Sequence, residues 1–141
     1  MKKVSFWLLI LLMGGFLACC SSNELTWKPP AQQWQDLTIE VESRPELPRQ
    51  GMNEFIVIVN RARRGYISDL IVNVRTEHSG AWRQAMPDGA LGVYRRALPV
   101  EDPEQEHLYV QLIRGKKGQA ELVFPLAAGS RSLQGRVVEH H

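Results

Sequence analysis

Short alternating runs of apolar and polar residues predict an all-β protein, an antiparallel sandwich of about six or seven strands. Gly, Pro, Asn and Asp separate these runs, and no long window keeps the periodicity of a helix. The 141 residues are enough for one domain, and 44% hydrophobic with 23% charged residues is a globular composition.

The strands are predicted from inward-facing residues at every second position. The first has Leu37, Ile39 and Val41 on one face, with polar residues between them. The run from Phe55 to Val59 is apolar on both faces, which indicates a strand buried between two layers. Three later runs alternate in the same way, with inward residues Leu70, Val72 and Val74, then Leu108, Val110 and Leu112, then Leu122, Phe124 and Leu126.

Two further segments complete the predicted sandwich. Residues Gly92 to Val100 are β-branched and aromatic, but Arg95 and Arg96 interrupt the alternation on both faces. We therefore expect a bulge or an edge position there. The glycine-containing stretch from Arg114 to Gly118 predicts a hairpin loop between the last two strong strands.

The N-terminus has the features of a bacterial lipoprotein signal peptide, assigned to residues 1–19. Two lysines follow Met1, an apolar stretch runs to Ala18, and Leu17-Ala18-Cys19-Cys20 resembles a lipobox. Two registers fit: Cys20 has the better residues at the first two positions, and Cys19 has the better small residue beside the cleaved bond. This resemblance implies a lipid anchor on the periplasmic face of a membrane, with the outer membrane favoured because no aspartate follows the cysteine.

Charge and cysteine content exclude several classes of function. The chain has 17 Lys+Arg and 15 Asp+Glu, and removing Lys2 and Lys3 with the leader leaves 15 minus 15, or zero. A neutral domain lacks the basic excess that nucleic-acid binding requires. Both cysteines lie at the lipobox, so the mature domain has no thiol for redox chemistry and no disulfide.

The remaining boundaries follow from composition. Residues 20–35 are polar and contain Pro29-Pro30, which predicts a flexible tether. Trp27 and Trp34 within it either pack onto the domain or contact the membrane interface or a partner. The sandwich is assigned to residues 36–127, and residues 128–141 to a C-terminal tail or a short edge strand.

A set of strand motifs gives the sandwich a family resemblance. Gly51 and Asn53 lead into Phe55-x-Val57-x-Val59, and Gly92-Val93-Tyr94 follows later. The series resembles the small periplasmic immunoglobulin-like domains of the YtkA-like and FixH-like group. That resemblance implies the fold and, through the FixH-like members, a link to the assembly of copper-containing respiratory oxidases.

Catalysis and metal binding have few candidate residues. His78 and His107 lie in unrelated segments without a nucleophile, so we expect no enzyme and no cofactor. The carboxylates of Glu101, Asp102, Glu104 and Glu106 fall in a proline-containing segment that predicts a solvated loop. A copper-handling accessory protein is the alternative function, with His78 and Met86 as candidate ligands because imidazole and thioether groups select Cu(I).

The most distinctive segment is Trp82 to Gly89. Trp82, Arg83 and Met86 are residue types enriched at protein interfaces, and Asp88 follows them. With Arg95 and Arg96 they form the predicted partner-binding set, although Trp82 could instead fold under its own loop as a small satellite core. The sequence thus predicts a lipid-anchored accessory protein without a catalytic centre, which binds a protein partner in the cell envelope.

Overall fold

The computed structural model describes residues 26–63, 67, 69–128 and, for the backbone, 138–140. The signal peptide and the candidate lipidation sites Cys19 and Cys20 lie outside the described residues. The strands are β1 (Gln32–Trp34), β2 (Leu37–Arg44), β3 (Gly51–Arg61), β4 (Ile71–Arg75), β5 (Arg83–Gln84), β6 (Met86–Pro87), β7 (Val93–Val100), β8 (His107–Ile113), β9 (Gln119–Pro125) and β10 (Val138–His140).

The strands form two antiparallel sheets. The first has the order β1-β2-β3-β7-β6, and the second has the order β10-β9-β8-β4-β5. The six long strands are arranged as in an immunoglobulin domain. In one sheet, β2, β3 and β7 correspond to strands A, B and E; in the other, β4, β8 and β9 correspond to strands C, F and G. The predicted all-β sandwich is confirmed. The four additional strands have only two or three residues each.

The core lies between the sheets and contains the residues that alternation placed inward, together with others such as Trp27, Trp34 and Ala85. The inward side chains of β2, β4, β8 and β9 are buried, with their neighbours exposed or half-buried. In β3, Phe55, Ile56 and Val57 are all buried, as the two-sided apolar run predicted. The loop from Arg114 to Gly118 forms the predicted hairpin, closed by the Arg114 N–H donating to the Gly118 carbonyl at 2.9 Å.

The segment predicted as a tether is part of the domain from Trp27 onward. Trp27 and Trp34 are only 2% and 4% exposed, and β1 pairs with β2 through Gln32, Gln33 and Trp34. The Trp27 indole N–H donates to the Pro125 carbonyl at 2.8 Å. The assignment of residues 27–35 to a tether was therefore wrong, because these two rings complete the core instead of remaining in solvent.

The expected bulge in β7 is also absent from the structure. Gly51 to Ile58 of β3 pair without interruption with Val100 to Val93 of β7. The edge expectation holds in part, since only the two-residue β6 covers the other side of β7. Arg95 faces outward and Arg96 lies on the inward-facing row, half-buried, next to the short edge strand β6.

At the start of β7, a glycine permits close approach of the chain. Gly92 has φ +80°, and a Cβ there would overlap the Val59 carbonyl oxygen. The Val59 N–H donates to the Gly92 carbonyl at 2.7 Å, so this contact joins the end of β3 to the loop before β7.

The C-terminal segment supplies a short edge strand to the second sheet. Val138 to His140 pair with Glu121 to Gln119 of β9. None of the described residues belongs to a helix with the length and apolar character needed to span a membrane.

Candidate functional site

The chain crosses from one sheet to the other at the edge of the sandwich formed by β5 and β6. β5 pairs with β4 in the second sheet, and β6 pairs with β7 in the first. Ala85 separates β5 and β6, is buried, and donates its N–H to the Val72 carbonyl at 2.8 Å. Ala85 therefore fills the core at this point, and the side chains on either side of it remain at the surface.

This crossover brings the six predicted partner-binding residues to one edge of the sandwich, with Trp82 on the outer face of the second sheet and Met86 and Arg95 on the outer face of the first. Trp82 and Arg83 lie at the β5 end and Met86 and Asp88 at the β6 end, while Arg95 and Arg96 lie on the adjoining β7. Residues Trp82–Asp88 with Arg95 and Arg96 are hereafter the crossover edge. Met86 is 59% exposed, and both residues of β5 and of β6 are exposed.

Two charges of the crossover edge are already paired within the protein. The Arg95 Nη1 lies 3.1 Å from Glu54 Oε1, and the Arg95 Nε contacts the Asp88 carboxylate. The hydrogen bond to Glu54, reinforced by Asp88, raises the pKa of Arg95 above its ordinary value. These ion pairs connect β3, β7 and the segment after β6, so Arg95 and Asp88 hold the edge in shape.

Trp82 is not the satellite core that was the alternative expectation. Its side chain is half-buried, and it occupies the position opposite Arg75 when the β4–β5 register is extended by one residue. The Arg75 Cζ lies 5.1 Å from the Trp82 ring centroid and 4.0 Å from that of Tyr109, which is opposite Arg75 on β8. One guanidinium group thus stacks on two aromatic rings across three strands.

Beyond Tyr109, a carboxylate is held by three donors. The Glu77 Oε1 accepts from the Tyr109 hydroxyl at 2.9 Å and lies 2.7 Å from the His107 Nδ1, while Oε2 accepts from the His107 backbone N–H at 2.8 Å. Burial alone would raise the pKa of Glu77, but the bonds from His107 and Tyr109 outweigh it and lower the pKa. Burial and the hydrogen bond to Glu77 raise the pKa of Tyr109, so its hydroxyl remains protonated.

In the acidic loop between β7 and β8, close to His78, one carboxylate makes hydrogen bonds to the backbone that the sequence did not predict. Glu106 is buried, and its carboxylate accepts the backbone N–H groups of Glu101 and Asp102 at 2.6 and 2.5 Å and that of His78 at 3.2 Å. The expectation of a solvated side chain is wrong for Glu106, because it satisfies the loop backbone. Glu77, His78, Glu101, Asp102 and Glu106 line an open depression of about 300 Å³.

The two candidate copper ligands lie in different parts of the fold. His78 follows β4 and its Nδ1 is 3.1 Å from Glu101 Oε2, whereas Met86 is in β6 opposite Arg95. Among the residues that the structure describes, no group of three or more His, Cys, Asp or Glu side chains is arranged to hold a metal ion. The geometry therefore adds no support to a copper site.

Sequence reasoning missed Arg75, Tyr109 and Glu77 as members of the site. Alternation with the inward residues of β4 and β8 leaves Arg75 and Tyr109 on outward faces, but strand order was needed to make them neighbours. No family model, curated protein or solved structure matches this chain. The resemblance to the YtkA-like and FixH-like group accordingly stays a prediction.

Proposed function

We propose that this chain is a lipid-anchored periplasmic binding protein without a catalytic centre, and that its crossover edge binds another protein of the cell envelope. The observation that carries the proposal is the exposure of interface-type residues on a rigid support. Trp82, Arg83 and Met86 lie at the surface, while Ala85 and the Arg95–Asp88 pair fix the backbone beneath them. Surface loops on rigid sandwiches often carry recognition, and Trp, Met and Arg are enriched at interfaces.

The leader supports the anchoring part of this proposal. A charged start, an apolar stretch and two cysteines form a lipobox-like sequence, and the rest of the chain has no cysteine. Since the domain begins at Trp27, only a short segment separates it from Cys20. An extended chain spans at most about 3.3–3.6 Å per residue, so anchoring at Cys20 would hold Trp27 within about 25 Å of the membrane surface.

Site-specific photo-cross-linking in living cells tests the binding surface. A benzophenone amino acid replaces Gln84 on the crossover edge or, as the matched control, Glu40 on the outer face of β2; both positions are exposed. We expect a discrete cross-linked adduct from position 84 and none from position 40. Equal adducts from both positions, or none from position 84, would overturn the proposed surface.

Mass spectrometry of the native protein tests the anchor separately. The expected N-terminal peptide begins at Cys20 or Cys19 and carries acyl chains. Retention of Met1 without a fatty acid would overturn the lipid anchor and the localisation, while leaving the cross-linking result to decide the binding surface on its own.

A further inference from the structure

Three of the five half-buried or buried arginines among the described residues are neutralised by a carboxylate, and Arg75 and Arg96 are not. Arg61 and Arg114 contact the Asp36 carboxylate, and Arg95 contacts Asp88 and Glu54. Arg75 is half-buried, yet in the described part of the chain its guanidinium has no carboxylate partner and no hydrogen bond. Its neighbours are instead the rings of Trp82 and Tyr109.

Stacking of this kind prepares a guanidinium for an external anion. The two rings hold the Arg75 Cζ over their faces, and a planar guanidinium has five N–H donors, of which a carboxylate can accept two side by side. Because Arg75 is held from two neighbouring strands, little side-chain entropy remains to be lost when a ligand binds.

Charge and hydrogen-bonding groups around Arg75 favour an acidic chain over a neutral one. The charge is that of Arg75 itself, because Arg83 lies opposite the inward-facing Val74 and Arg96 lies on the inward-facing row of β7, so neither shares the outward face on which Arg75 lies. The next cross-strand row presents the amides of Gln84, Asn73 and Gln111, with Asn73 Nδ2 donating to Gln111 Oε1 at 2.9 Å. Amide groups of this row can bond a peptide backbone.

The local negative charge favours a carboxylate over a phosphate. A singly charged carboxylate neutralises the one charge of Arg75, whereas a phosphate group of nearly two negative charges would leave an uncompensated charge next to Glu77, which is bonded to the Tyr109 hydroxyl. Glu121, at the far end of the amide row, is two strands from Arg75, about 10 Å by strand spacing, and does not neutralise it.

We propose that Arg75, held between Trp82 and Tyr109, binds a Glu or Asp side chain of an acidic segment of the partner protein. This inference rests on the proposed function and names the chemistry of its partner. The amide row of Gln84, Asn73 and Gln111, on the same face as Arg75, orients the bound segment.

The test is a titration of the full-length protein, in non-ionic detergent, followed by ¹H–¹⁵N NMR. The probe is capped hexaglutamate, and capped hexaglutamine is the uncharged control. Of the tryptophans in the described residues, Trp82 alone is half-exposed, while the indoles of Trp27 and Trp34 are buried and serve as internal references for folding. We expect a saturable shift of the Trp82 indole and the Arg75 Nε–H with hexaglutamate only.

Matched variants decide whether Arg75 carries the binding. Removing one charge-assisted bidentate pair costs about 1.5–3 kcal/mol, so R75Q should weaken hexaglutamate binding by about 10-fold or more. R75K keeps the charge without the planar fork and should lose part of the affinity. R44Q makes the same change at an exposed arginine at the end of β2 and should leave binding unchanged.

Several results would overturn the inference. The first is that the Trp82 indole signal does not shift at about 5 mM hexaglutamate, a concentration that detects even weak association. The second is a shift of equal size with hexaglutamine, and the third is that R75Q binds hexaglutamate as tightly as the wild-type protein. A Trp82 shift with phosphatidylglycerol vesicles but not with hexaglutamate would assign the surface to a lipid instead. A cross-link from position 84 without hexaglutamate binding removes only the carboxylate inference, whereas hexaglutamate binding without that cross-link removes only the proposed envelope partner.

Discussion

Replacing Trp27 tests whether the segment before β2 belongs to the domain. Its indole is 2% exposed, packs edge-on against Phe55 at 5.9 Å between ring centroids, and donates to the Pro125 carbonyl at 2.8 Å. Truncating a buried Trp to Ala costs about 3–5 kcal/mol, because apolar contact is lost and a cavity remains. Trp27→Phe keeps most ring contacts and loses the hydrogen bond, so we expect a cost of about 1–2 kcal/mol.

Urea unfolding of the full-length chain, followed by far-UV circular dichroism, measures these losses. With a slope of about 1.5 kcal/mol per molar urea, Trp27→Ala should lower the midpoint by about 2–3 M. Trp82→Ala is the control, because a half-exposed ring should cost less than about 1 kcal/mol. If Trp27→Ala shifts the midpoint no more than Trp82→Ala, the segment is a tether and the packing described for it is refuted.

Three further changes test the fold. Gly92→Ala forces an L-residue into φ +80° against Val59 and should lower Tm by about 5–15 °C, more than Gly89→Ala, which has open space at φ +50°; equal losses would contradict the close contact. Asn53→Asp removes the amide N–H that bonds the Arg49 and Gly51 carbonyls at 2.7 and 3.1 Å, so its urea midpoint should fall far more than that of the exposed Asn60→Asp. The hydrogen bond from Arg114, reinforced by Arg61, lowers the pKa of Asp36 in the folded protein. The stability that the Asp36 carboxylate contributes is therefore present above the pKa of Asp36 in the unfolded chain, and it is lost as the pH falls toward the lower pKa of the folded protein. Asp36→Asn should thus destabilise the protein at neutral pH and flatten the decline in the urea midpoint between about pH 5 and about pH 2; an unchanged decline would exclude this role.

The long strands were predictable because one physical rule determines their sequence. A strand between solvent and core must alternate, and the inward residues of β2, β4, β8 and β9 follow that rule except for the buried Ser43 in β2. The two-sided burial in β3 was predictable as well, from its apolar run. The strands β1, β5, β6 and β10 have two or three residues, too few for any period to be visible.

The burial of Trp27, Trp34 and Arg114 depended on tertiary partners that no local pattern identifies. A polar, proline-containing segment is typical of a linker, yet its two indoles fill the space beside β2 and β9. Arg114 lies beside the glycine-containing loop between β8 and β9, yet it is only 2% exposed. Its guanidinium contacts the Asp36 carboxylate and the Gln35 side-chain oxygen, which belong to the turn between β1 and β2.

The candidate site was predicted in part for a similar reason. Trp82, Arg83 and Met86 were identified from residue type alone, which does not depend on the fold. The stack of Arg75 on Trp82 and Tyr109 required the order of β5, β4 and β8, and the pairing of Arg95 with Asp88 and Glu54 required the register of β3 with β7. Pairing between strands distant in sequence is the information that a single sequence lacks.

The most direct test of the account is the yield of the position-84 cross-link in cells producing the Trp82→Ala variant at the wild-type protein level. Because a central interface Trp often carries more than about 2 kcal/mol of binding free energy, the account predicts that the adduct falls by about 10-fold or more. An undiminished adduct would show that the partner does not depend on Trp82 and would contradict the crossover edge as the binding surface.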